Sequence, residues 1–134
     1  MPTTIPEDVR DLFEEPALAH LSYLNKKGQI VTFPMWVDFD GEHVVVSSPV
    51  GSRKGKALRE RAGVAVSIVS NNNRWHWLSI SGRVLDIQPD ENLEFIDRMA
   101  QKYTGKPYER RTPREVFTIE VDRVSHSGAW GARR

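Results

Sequence analysis

Apolar and polar residues along the chain repeat at two periods. Between Ile5 and Glu15, Val9, Leu12 and Phe13 recur at helical spacing; Pro6 suits the first turn and Pro16 stops it. This predicts a short amphipathic helix covering one end of a sheet. The period then changes to two. Ala17–Leu24, Gln29–Phe39, Val44–Ser48, Val64–Ser70, Trp75–Ile87 and Val116–Val124 read as six strands. Asn25-Lys26-Lys27-Gly28 and Asp40-Gly41 mark turns, and Asn71-Asn72-Asn73 a loop. Two helices interrupt the strands. One runs from Ser52 to Arg61, with Ala57 and Leu58 inward and Gly63 where a helix-ending glycine belongs. The other spans Pro89–Thr104, with acids in its first turn, a stripe of Leu93, Ile96, Met99, Ala100 and Tyr103, and Gly105 at its end. Strands joined by short turns argue for a mainly β (α+β) chain folded as an antiparallel barrel or sandwich.

Two strands have faces that differ in kind. In Gln29–Phe39, Val31, Phe33, Met35, Val37 and Phe39 form an apolar row expected in the core, while Ile30, Thr32, Pro34, Trp36 and Asp38 form a mixed one. Pro34 has no N–H for a ladder, so pairing there is interrupted or one-sided. That leaves either an ordinary edge strand or free backbone facing a ligand. In Trp75–Ile87, Leu78, Ile80 and Val84 face the core. Trp75, Trp77, Ser79, Ser81 and Arg83 form the opposite face, which favours an interface or a ligand over plain solvent.

Composition narrows the chemistry. A length of 134 residues predicts one domain, 1–134: the helix to residue 15, a barrel over 16–124 with residues 89–104 inserted, and a tail over 125–134. Nineteen Lys and Arg against 18 Asp and Glu argue against a nucleic-acid binder. The absence of cysteine excludes disulfides and thiolate chemistry. No apolar run approaches the ~18 residues of a membrane span and no signal-like segment opens the chain, so a cytoplasmic protein without membrane attachment is expected. His20, His43, His76 and His126 are scattered, so no metal site is expected. No nucleophile elbow, Walker loop or Rossmann fingerprint occurs, and no side chain stands out as catalytic. An enzyme built this way needs a cofactor to carry its chemistry.

One stretch suits a cofactor. After Val44–Ser48, the chain turns through Pro49 and Gly51 and enters a helix at Ser52, a capping residue type, followed by Arg53, Lys54 and Lys56. A helix N-terminus flanked by cations favours an anion. It is either the phosphate seat of a flavin-like cofactor or a solvated basic turn.

Three segments, in this order and spacing, carry a resemblance: Pro34-Met35-Trp36-Val37-Asp38-Phe39-Asp40-Gly41, Ser52-Arg53-Lys54 with Leu58-Arg59, and Trp77-Leu78-Ser79-Ile80-Ser81-Gly82-Arg83-Val84. Tyr103-Thr104-Gly105 and Val121-Asp122-Arg123-Val124 also fit in position. From Glu15 to Val124 the chain resembles the split β-barrel flavin/deazaflavin oxidoreductases, the pyridoxamine 5'-phosphate oxidase-like proteins, and most the branch that uses coenzyme F-420. The resemblance implies a six-stranded antiparallel split barrel with capping helices, paired as a homodimer with cofactor sites at the subunit interface. It implies that Ser52, Arg53 and Lys54 hold the cofactor phosphate, with Ser47 and Ser48 nearby. Phe33, Pro34, Met35 and Trp36 then run past the ring system, and Trp77 reaches it from the other subunit. Trp130 in the tail is a further candidate for closing the site.

The chain also departs from these patterns. Thr32 and Val37 stand where FMN-using pyridoxamine phosphate oxidases carry phosphate-binding Arg and Lys. Ala57 and Ser79 replace an asparagine and a glutamate common in the deazaflavin branch. The activity implied is hydride transfer from reduced coenzyme F-420, an 8-hydroxy-5-deazaflavin, to an unsaturated small molecule. The alternatives are an FMN-dependent oxidoreductase and a non-catalytic flavin, F-420 or tetrapyrrole carrier.

Overall fold

The computed structural model of the chain describes residues 2–127. Its strands are β1 (Ala19–Leu24), β2 (Ile30–Met35), β3 (Asp38–Phe39), β4 (Val44–Pro49), β5 (Gly63–Val69), β6 (Trp77–Pro89) and β7 (Arg114–His126). Helix α1 is Arg53–Glu60 and α2 is Glu94–Thr104. A 3-10 segment, Glu7–Phe13, takes the place of the expected N-terminal helix and buries Val9, Leu12 and Phe13. The sheet order is β2-β1-β5-β6-β7-β4-β3, and every pairing is antiparallel.

The seventh strand corrects the expected six. Gln29–Phe39 is not one strand, because Trp36 and Val37 break it into β2 and β3, which lie at opposite ends of the sheet order. Met35 and Asp38 are three Cα steps apart, at most ~11 Å. The two free edges must therefore meet, and the sheet curls into a split barrel. Pro34 sits on β2 opposite His20, in a strand paired on one side only.

The barrel interior holds Leu21, Val44, Val46, Leu58, Ile68, Leu78, Phe117 and Ile119, all essentially inaccessible. A second cluster lies outside the barrel wall, where Val45 of β4 packs with Leu93, Phe95, Ile96 and Met99 under α2. The apolar row expected along Val31–Phe39 is only partly core. Met35 and Val37 are buried and Val31 and Phe39 pack against the core, but Phe33 is 46% exposed. The break at Trp36 leaves Phe33 on an unpaired edge.

Two helix boundaries also differ from expectation. Gly63 opens β5, and α1 ends at Arg61 in extended conformation. The expected Pro89–Thr104 helix is preceded by a 3-10 turn, with Asn92 and Leu93 left-handed. Buried Asp90 organises this turn: its carboxylate accepts from the N–H groups of Phe95 (2.9 Å) and Ile96 (3.0 Å). Gly105 closes α2 at φ +76°, as a terminal glycine does. Among the described residues, no helix is long and apolar enough to cross a membrane.

Strands β6 and β7 are the longest, and their register shifts between Ser81 and Gly82. A Cβ on Gly82 would lie 1.9 Å from the Glu120 carbonyl oxygen. Backbone there cannot yield without opening the central ladder. Gly82→Ala is expected to destabilise the fold by about 1–3 kcal/mol, read as a lower urea midpoint; an unchanged midpoint would show that the ladder adapts.

Candidate functional site

The site lies where the barrel splits. Alternation along β4 sends Val44, Val46 and Ser48 to one side, and Val45 and Ser47 to the other, toward α2. Ser47 therefore lines a cavity of about 280 Å³ between the β2 edge and α2, with Pro34, Met35, Trp36, Lys54 and Arg114. Phe95, Ile96 and Met99 form its apolar wall.

Helix α1 begins as expected. The Ser52 hydroxyl oxygen accepts from the Gly55 N–H at 3.0 Å, and its partner on the other side is the buried Ser48 hydroxyl. Ser48 and Ser52 thus serve the cap, not the cavity. Successive helix positions differ by about 100° in direction, which separates the two cations read together from the sequence. Lys54 enters the cavity, while Arg53 lines a larger space of about 670 Å³ with Lys26, Lys27 and Lys56.

Phe33 borders Lys54 instead of lining the cavity, with the ammonium 5.8 Å from its ring centroid. Trp77 lies away from the cavity on β6, where its N–H donates to Ser127 Oγ at 3.1 Å. Trp130 lies outside the described residues.

Arg114 follows Arg110 and Arg111 in a polar stretch in which nothing local singles it out. Arg114 is the first residue of β7 and only 8% exposed. Its Nε donates to Ser47 Oγ at 2.9 Å, and its guanidinium lies 5.2 Å from the Tyr108 ring centroid. Arg111, by contrast, pairs with Asp97. The position of Arg114 opposite Pro49, at the end of the strand leading into the basic turn, becomes visible only once β4 pairs with β7.

Neither Lys54 nor Arg114 forms a salt bridge with a carboxylate among the described residues. Burial holds the Lys54 ammonium below the usual lysine range, and the positive charge of Arg114 adds to the effect. Burial likewise lowers Arg114. Two desolvated like charges beside a hydroxyl are costly unless an anion joins them. The cavity therefore has a charge balance that favours an anionic group, with the unpaired β2 edge alongside.

Trp36 is held in place from behind. Its ring stacks on Tyr103 at 5.2 Å and 10°. The Tyr103 hydroxyl donates to the Ala17 carbonyl (2.8 Å) and accepts from the Val37 N–H (3.2 Å). The Lys102 ammonium donates to the carbonyls of Phe13 (2.7 Å) and Val37 (2.6 Å).

Residues 5–128 match the pyridoxamine 5'-phosphate oxidase family. The chain belongs to that family. It is thereby a member of the split-barrel flavin/deazaflavin oxidoreductase superfamily, whose members include flavin-type oxidoreductases. A solved F420 reductase is 25% identical, with a TM-score of 0.81 over 90% of this chain and 98% of that one. HupZ from Group A Streptococcus (18%, TM-score 0.64, 91% and 93% covered) shares the fold. So does General Stress Protein 26 from Bacillus anthracis str. Sterne (15%, 0.68, 90% and 91%). No curated protein matches the chain.

An unpaired, partly buried cation opposes folding in the absence of ligand. Lys54→Met is expected to raise the stability of the ligand-free protein by no more than about 1 kcal/mol, since the ammonium still touches water. The folded pKa of Lys54 lies below the unfolded one, so the wild type gains stability as pH rises toward 10.5. The gap to the variant should therefore narrow between neutral pH and pH 10.5. Urea unfolding of both proteins across that window checks the sign.

Proposed function

We propose that the protein is a coenzyme F-420-dependent oxidoreductase acting on an unsaturated small molecule. The observation that carries this reading is the pair Lys54 and Arg114, desolvated and without a carboxylate partner beside Ser47, at the split of a barrel similar to that of a solved F420 reductase. In this reading Lys54 and Arg114 bind the cofactor phosphate, and Ser47 orients Arg114. Pro34, Met35 and Trp36 offer backbone and ring contacts along the β2 edge. Phe33 screens the Lys54 ammonium from water, Ser48 and Ser52 set the start of α1, and Arg53 extends positive charge outward. The deazaflavin, when bound, supplies the hydride. No carboxylate or imidazole lines the cavity among the described residues, so a proton would come from solvent.

A cavity of about 280 Å³ is below the ~300–1,000 Å³ typical of pockets that enclose a ligand. One subunit therefore holds the anionic end, and a second copy completes the site as a homodimer, with Trp77 reaching the ring from the partner. Exposed Ile30 (77%) and Trp75 (63%), with Val69 and Leu24, supply apolar surface for such pairing.

Titration with coenzyme F-420 and, in parallel, FMN, read by tryptophan fluorescence, tests the assignment. Tight F-420 and weak FMN binding is expected. The reverse preference would place the protein with the FMN users, and binding of F-420 without turnover would make it a carrier. Lys54→Ala is expected to weaken cofactor binding by about 1.5–3 kcal/mol, roughly 10- to 150-fold; unchanged affinity would remove the phosphate role.

A further inference from the structure

Beyond the cavity lies a second space of about 490 Å³, bounded by α2 and the α2–β7 loop; besides Trp36 and Tyr108 it is lined by Ala100, Thr104, Lys106, Pro107, Glu109 and Arg110. Among the described residues, only Trp36 and Tyr108 line both spaces. Their rings meet edge to face, with centroids 5.9 Å apart at 83°, and so stand as a partition between them.

Both halves of the partition are fixed from behind. Trp36 is stacked on the hydrogen-bonded Tyr103. Tyr108 sits on an otherwise exposed loop that Asp97 ties to α2. Asp97 Oδ1 accepts from the Tyr108 N–H (3.1 Å), and its carboxylate takes a two-pronged contact from Arg111 (2.7 and 3.0 Å). Arg111 also donates to the Tyr108 carbonyl at 2.9 Å. On the cavity side, the Arg114 guanidinium lies against the Tyr108 ring. A loop held only for its own stability would not need its one aromatic ring wedged between a cation and an indole.

We infer that Tyr108 is a specificity-determining residue: its ring sets how far a ligand anchored on Lys54 and Arg114 can extend, and the space beyond it is an extension subsite for a planar group lying against the Trp36 and Tyr108 rings. The inference rests on the anion-binding reading of the cavity. A ligand with a short apolar body ends at the Tyr108 ring. A longer one needs that ring displaced.

The test compares phenyl phosphate with biphenyl-4-yl phosphate on the full chain, followed by the Trp36 indole N–H resonance. The ratio of the two affinities cancels any effect of Tyr108 on Arg114, which both phosphates share. The wild type should favour phenyl phosphate. Tyr108→Ala should shift the ratio toward the longer ligand at least tenfold, and Tyr108→Leu should shift it the same way while keeping apolar contact on the loop. Tyr108→Phe should keep the wild-type ratio, because the ring and not the hydroxyl forms the partition. A wild type that does not discriminate, or an unchanged ratio in the folded Ala or Leu variant, overturns the inference while leaving the anion cavity intact. Failure of both phosphates to bind the wild type overturns the anion cavity and the inference together.

Discussion

Closure of the sheet between β2 and β3 is the constraint on which the site depends. These strands are neighbours in sequence and occupy opposite edges of the sheet order. Two residues, Trp36 and Val37, must bridge the edges, so the sheet has to curl until they meet. Neither edge pairs with the other, and the seam keeps unpaired backbone on β2. Such an edge invites aggregation if left open. Here it is confined between a basic helix start and α2, where it lines a cavity instead.

The contacts that hold the seam are polar and come from far along the chain. Lys102 and Tyr103, adjacent on α2, reach the backbone of Phe13, Ala17 and Val37. At Val37 they satisfy the N–H and carbonyl that the broken strand would otherwise leave unpaired at a part-buried site, where an unmade bond costs ~1–3 kcal/mol. The same pair presents a flat ring to Trp36. Closure of the barrel and placement of a cavity wall are thus one structural act.

Electrostatics gives the cavity its character. Most cations of this nearly neutral chain face water or pair with acids, as Arg59 does with Glu115 and Arg111 with Asp97. Among the described residues, part-buried Lys102 is satisfied by backbone carbonyls, whereas Lys54 and Arg114 are partly desolvated side by side and their charges repel. The protein holds them together through the stability of β4, β7 and α1, elements whose packing lies in the barrel core. Two like charges held together in this way favour an anion between them over a neutral group.

The strands other than β2 and β3, the turns at Gly28 and Gly41, the Ser52 cap and the Gly105 stop were legible from sequence, because period, capping and left-handed glycine are local properties. That a proline-bearing edge and a basic helix start serve one site was implied only by the family resemblance. The sequence did not reveal the break at Trp36, because the apolar row from Val31 to Phe39 alternates straight across it. Nor did it separate Ser47 from Ser48, or Lys54 from Arg53, since each pair reads as one motif until backbone geometry turns its members apart. Arg114 lay furthest from view: it stands 60 positions from Lys54, and only β4–β7 pairing brings it to Ser47. Local chemistry by itself determined most of the elements and that a capped helix start at Ser52 is flanked by cations. Tertiary structure alone decided which charges share a cavity and which rings wall it, because sheet order and closure are long-range choices that no local period encodes.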